Sequence, residues 1–74
     1  MIDIYLTADV DRLSISSWLA NNVGNSIRTV ENREYYGVNW EFRLCYVKLP
    51  PYIVKWVVRF TNDHDATLFK LTWL

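Results

Sequence analysis

From Tyr36 to Tyr46 every even position carries a large apolar side chain (Tyr36, Val38, Trp40, Phe42, Leu44, Tyr46), while most odd positions are polar or small. A β-strand turns successive side chains to opposite faces, so a period of two over this length has one structural meaning. The stretch predicts a strand over residues 36–47 with an apolar side and a polar side. Pro50 and Pro51 interrupt it, because proline has no N–H to give to a ladder and favours a turn. Alternation resumes with Val54, Trp56, Val58 and Phe60 against Lys55, Val57 and Arg59, which predicts a second strand over 53–61. Two alternating strands around a short Pro-Pro loop make an antiparallel hairpin.

A hairpin alone cannot hide its apolar side, so the flanking segments must cover it. Ile2, Ile4 and Leu6 alternate with Asp3 and Tyr5, as in a half-buried first strand. Thr7 and Asp9 are both suited to cap a helix, and Asp9 and Asp11 lie where a helix N-terminus favours acids. Ala8, Ile15, Trp18, Leu19 and Val23 then form one stripe at helical spacing, and Gly24 follows where helices often end in a left-handed residue. A helix is expected over 8–23, with Leu13 off the stripe and exposed. Residues 25–34 are polar and without a clean period. They read as a loop, with a short edge strand at Ser26–Val30 as the alternative.

The closing stretch "FTNDHDATLFKLTWL" fits two templates. As a strand, Phe69, Leu71 and Trp73 share one face. As a helix, Asn62 or Asp63 caps it and Ala66, Phe69 and Trp73 align at helical spacing. Asn62–Asp65 lacks the glycine that tight hairpin turns prefer, and the residues from Ala66 to Leu71 include several helix formers. The sheet side left bare by the first helix also calls for a second. The expected fold is therefore α+β, a single domain over 1–74 with the order β-α-β-β-α and helices 8–23 and 63–74 on one face. The alternative is β-α-β-β-β, with the tail as a last strand.

A chain of 74 residues hides only about 60% of its unfolded surface, so its core must be dense. Four Trp, five Tyr and three Phe answer that need, each ring hiding about 150–250 Å² when buried. Eight bases cancel eight acids and are interleaved with them, which leaves no basic tail to track phosphates. Cys45 is the only cysteine, so neither an intrachain disulfide nor a cysteine-rich zinc site is available. The start, Met1-Ile2-Asp3, lacks the layout of a signal peptide, and no apolar run approaches the ~18–20 residues of a membrane span. A cytoplasmic location without membrane contact is expected.

The order β-α-β-β-α resembles the ferredoxin-like and RNA-recognition-motif arrangement lacking its last strand, a pattern shared by many functions. The tail, through Phe60, Asp65, Ala66, Phe69, Lys70, Leu71 and Trp73, is similar to the closing segment of small proteins of tailed bacteriophages. That resemblance implies a phage origin, hence the cytoplasm of a host cell, and brings no catalytic residue with it.

His64 between Asp63 and Asp65 is the one cluster with metal or acid-base character, but three successive residues at a helix start point in different directions. The cap reading accounts for both aspartates. Cys45 falls on the polar sheet face near Arg43 and Lys55, with no base placed beside it, and Gly24 and Gly37 are too few for a phosphate cradle. No metal, cofactor or catalytic residue is expected. An RNA-recognition motif stacks bases on aromatics of its open sheet face. Here that face would offer Tyr5, Arg43, Lys55 and Arg59, with Asp3 and Glu41 repelling phosphate. The stronger signal is surplus apolar surface. With Phe69 and Trp73 inward, Leu68 and Leu71 face out, and Leu13, Tyr52, Val57 and Leu49 add to them. Leu68, Leu71, Leu13 and Tyr52 are the expected contacts to a protein partner. The expected function is that of a small phage-type accessory protein that binds a host protein, a defence, nuclease or transcription component, and inhibits it by occupying its surface. Self-association through the same residues is compatible with this. The alternative is a single-stranded nucleic-acid-binding module.

Overall fold

The computed structural model describes residues 1–7, 9–31, 33–47 and 53–74. It is a small α+β domain: β1 (Ile2–Leu6), α1 (Arg12–Asn22), β2 (Ser26–Val30), β3 (Glu34–Gly37), β4 (Trp40–Val47), β5 (Ile53–Phe60) and α2 (Asp63–Trp73). The strands form one antiparallel sheet in the order β1-β5-β4-β3-β2. β1 and β4 are both antiparallel to β5, which lies between them, so the two flanking strands run parallel to each other.

The register explains why one face is apolar. Ile2 pairs with Phe60, Ile4 with Val58 and Leu6 with Trp56, while on the other side of β5 Trp40, Phe42 and Leu44 meet the same three residues. Pairs directly opposite across strands share a face, so these rows form one continuous apolar surface. Both helices cover it. Ile15 and Leu19 of α1 and Ala66 and Phe69 of α2 belong to the same buried cluster, with Trp18 and Trp73 packed against it. Rings tie the helices to each other and to the sheet, with Trp18 edge-on to Phe69 at 5.7 Å and Phe60 against Phe69 at 5.4 Å, while within the sheet Phe42 meets Trp56 at 4.8 Å. The aromatic excess is largely core.

The strand expected over 36–47 is two strands. Gly37 pairs with Trp40 across a two-residue loop, Val38 and Asn39, and Asn39 takes a positive φ of 67° that asparagine tolerates better than most residues. The order is thus β-α-β-β-β-β-α rather than β-α-β-β-α. The consequence reaches every side chain of β3. Partner numbers across this turn sum to an odd value, so the buried parity switches from even to odd. Tyr35 is buried opposite Phe42, and Tyr36, expected in the apolar row, stands on the opposite face beside Glu41. Val38, expected in the same row, is an exposed turn residue.

Of the two readings of residues 25–34, the loop and the short edge strand at Ser26–Val30, the structure takes the second: Ser26–Val30 is the edge strand β2, whose pairing with β3 carries an irregularity between Ser26 and Arg28. Arg33 N–H donates to the Val30 carbonyl at 2.9 Å and closes the turn between the two strands. The helix expected from residue 8 begins at Arg12. Asp11 is the cap and accepts from Ser14 N at 3.2 Å, while Ala8 lies outside the described residues. Gly24 follows the helix but is not left-handed. Its role is closeness: a Cβ there would overlap Val38, and one on Gly37 would overlap the Trp40 indole. That indole donates from Nε1 to the Gly24 carbonyl at 2.7 Å, and Val38 N–H donates to the Asn25 carbonyl at 3.0 Å. The β3–β4 turn is therefore pinned beneath the end of α1.

The tail is a helix. Asn62 takes the cap position in extended backbone, Asp63 and Asp65 occupy the first turn, and Lys70 lies in the last. These charges complement the helix dipole. Asn62 does not bond the backbone from its side chain but donates to Asp65 at 3.2 Å. Thr67 and Thr72 turn their hydroxyls back onto the carbonyls of Asp63 and Leu68, which lets both sit inside a helix.

Candidate functional site

With Ala66 and Phe69 buried and Trp73 half-buried, the geometry of α2 decides which leucines remain outside. Residues three apart are neighbours along a helix surface. Leu68, Leu71 and Leu74 are spaced in this way, at 37%, 81% and 75% exposure, so one side of the helix carries a row of three accessible leucines. Leu13 is also exposed, but on α1, turned away from Ile15 and Leu19. Tyr52 and Leu49 lie outside the described residues. Val57, expected to add to the surplus apolar surface, is 5% exposed. It sits on the helix-free face between Tyr5 and Arg43, flanked along its own strand by Lys55 and Arg59, and these longer side chains surround it.

The row of leucines ends at a pocket. Because α2 runs back along the sheet, its last turn returns to the end of β1 and the start of α1. There a cavity of about 380 Å³ opens, with Leu6 and Ile15 buried at its base and the exposed Tyr5 and Leu74 at its rim. Trp73 and Val10 form further walls, and Thr7 and Asp11 add polar groups. Among the described residues, Asp11 is the charged side chain on this lining. The hydrogen bonds that it accepts from Ser14 Oγ at 2.8 Å and Ser14 N hold its carboxyl below the usual range. Trp73 Nε1 is buried and has no hydrogen-bond partner among the described residues. The pieces of this pocket come from the two ends of the chain, and no local sequence pattern announces it.

The helix-free face collects the alternative set. One row crosses all five strands: Asp3, Arg59, Glu41, Tyr36 and Arg28. A second runs Tyr5, Val57, Arg43, Glu34 and Val30. Lys55 pairs with Cys45 farther along. Tyr5, Arg43, Lys55 and Arg59 are thus brought to one face, but so are three carboxylates. Arg59 binds Asp3 through both guanidinium and carboxylate forks, at 2.8 and 3.1 Å, and holds the Asp3 carboxyl below its ordinary range. Tyr36 donates its hydroxyl to Glu34 at 2.8 Å while Arg28 lies 4.6 Å over its ring. The odd-sum turn makes Tyr36 an aromatic of this face, which even-position reading assigned to the core.

His64 is exposed between Asp63 and Asp65 in the first turn of α2. Among the described residues no three His, Cys, Asp or Glu side chains gather as a metal site requires. No helix among them is long and apolar enough to cross a membrane. Comparison of the chain with protein-family models, curated proteins and solved structures finds no match.

Proposed function

We propose that this chain is a non-catalytic protein-binding module whose docking surface is the outward side of α2. The observation that carries the reading is the row of Leu68, Leu71 and Leu74, which ends at an apolar pocket rather than in isolation. Single exposed leucines are ordinary, whereas contiguous ones beside a pocket favour association. In keeping with the likeness of its tail to phage proteins, the module acts as a phage accessory protein. It inhibits a host defence, nuclease or transcription component by covering part of its surface. Leu68 and Leu71 are anchors, and Lys70, Thr67 and Thr72 lie around them as a polar rim, the layout that protein interfaces favour.

Replacing Leu68 and Leu71 together by glutamate is expected to leave the domain folded, because charges on an exposed helix face change stability by less than about 1 kcal/mol. The same change is expected to abolish capture of a stoichiometric partner from bacterial lysate, or self-association on size exclusion, because an unpaired charge in a desolvated contact is costly. Circular dichroism checks the fold. A folded double variant with unchanged association removes α2 as the docking face.

A second reading is supported by Tyr5 and Tyr36 on the helix-free face, with Arg28 over the second ring. Single-stranded nucleic acid would lie across it, stacking on the two rings. Asp3, Glu34 and Glu41 sit among the bases, so the expected binding is weak and fades as salt rises. Titration at physiological salt decides between the readings. Tight binding lost in Tyr5→Ala would transfer the function to the sheet.

A further inference from the structure

We infer that the free edge of β1 pairs with β1 of a second copy of this chain, antiparallel about a two-fold axis at Ile4, so that the two five-stranded sheets join into one. The sheet has two edges, β1 and β2. An edge strand offers unpaired N–H and C=O groups, and proteins discourage their use with irregularities and charged side chains. β2 has both, in the break between Ser26 and Arg28 and in Arg28 itself. β1 pairs with β5 regularly from Ile2 to Leu6, and its one charged side chain, Asp3, is already held by the fork of Arg59. The unprotected edge is β1. This surface is separate from the outward side of α2 and adds to the reading given above.

Self-complementarity identifies the occupant. Antiparallel strands related by a two-fold axis set even residues opposite even ones, so both copies keep their helices on the same side. With Ile4 opposite Ile4, Ile2 meets Leu6 and Asp3 meets Tyr5, each pair occurring twice. The half-buried Ile2 and the buried Ile4 and Leu6 then continue the apolar row of the helix side across the joint. On the helix-free side Tyr5, 58% exposed, brings a hydroxyl donor to the Asp3 carboxylate of the other copy, which keeps lone pairs beyond those that Arg59 takes. Met1, 86% exposed, stands diagonally from Tyr5 of the other copy, where thioether and ring can cover each other. No like charges on the two strands are opposed. Centring the pair on Asp3 would set two carboxylates face to face, and centring it on Tyr5 would carry Ile2 past the end of β1. The charge and the apolar pattern select the same register.

Sedimentation equilibrium of the intact chain tests this. A monomer–dimer equilibrium is expected, with a Kd on the order of 10–100 μM for so short a contact. Tyr5→Glu sets a carboxylate against Asp3 at two places and should weaken the dimer at least about tenfold, while circular dichroism stays parental because Tyr5 is exposed. Adding Asp3→Asn removes the repulsion and should restore the dimer to that of Asp3→Asn alone, a rescue that only this register provides. A measurement without variants runs beside it: on dilution of the ¹⁵N-labelled parent, the amide signals of Ile2–Thr7 should move most and those of β2 should stay. A parent that is monomeric at about 1 mM, a dimer indifferent to folded Tyr5→Glu, a loss that Asp3→Asn does not rescue, or dilution shifts centred on β2 overturns the inference. Leu68→Glu with Leu71→Glu should keep this dimer, so in that variant the α2 reading is judged by lysate capture. A dimer lost in that folded variant places self-association on α2 and overturns the pairing of β1; a dimer kept with capture unchanged sinks the α2 reading alone.

Discussion

Trp40→Ala is expected to leave no cooperative melt near room temperature. The indole is 3% exposed, faces the helices from β4, lies across Gly37 and bonds the Gly24 carbonyl. Truncating a buried Trp costs about 3–5 kcal/mol, comparable with the whole stability of many small domains. The bond to Gly24 is lost with the ring, which leaves a carbonyl at the end of α1 without its donor and loosens the β3–β4 turn. Trp40→Phe separates the two contributions. It keeps most of the ring but removes the N–H, so its loss should be nearer that of one hydrogen bond, about 1 kcal/mol, plus imperfect packing. Thermal melts followed by circular dichroism measure both. A Trp40→Ala variant that melts cooperatively near the parent would mean that the even positions of β4 do not face the core.

Phe69→Ala is expected to be about as damaging, by a different route. Phe69 is fully buried and touches Trp18 of α1, Phe60 of β5 and Trp73 of its own helix. It is the side chain through which both helices and the sheet meet. Its removal should cost about 3–5 kcal/mol, with loss of the helical signal as α2 leaves the sheet. Phe69→Leu retains much of the volume and should remain folded, weakened by roughly 1–2 kcal/mol. If Phe69→Ala keeps its helical signal and a cooperative melt, α2 is not docked through this ring.

The apolar row of leucines was legible once the tail was read as a helix, because Phe69 and Trp73 inward leave Leu68 and Leu71 outward by spacing alone. The pocket beside them was not. Tyr5 and Trp73 are as far apart in the chain as two aromatics here can be, and only the return of α2 to the end of β1 brings them to one cavity. Val57 shows the converse error. Its position on the polar side of β5 was correct, but its exposure depended on Tyr5 and Arg43 from the neighbouring strands, whose registers do not follow from β5 itself.

What the sequence by itself determined is what repeats locally. The period of two in β1, β4 and β5 set which residues turn to the core, and the helical spacing of Ile15 and Leu19, and of Ala66, Phe69 and Trp73, set the inward sides of the helices. These follow from backbone geometry and need no knowledge of neighbours. Tertiary structure decided where the alternating run was cut. A two-residue turn at Val38 and Asn39 carries no Asn-Gly or Pro signal and leaves the apolar pattern unbroken in the sequence, yet its odd-sum pairing exchanges the faces of Tyr35 and Tyr36. The turn is held there by the Trp40 indole on Gly24 and by the Val38 N–H on Asn25, contacts made with the end of α1. β2 depends in turn on β3 for its pairing. Periodicity states which sides of a segment are apolar; the long-range bonds of Trp40 and Val38 state where the segment ends, and so which face each side chain of β3 presents.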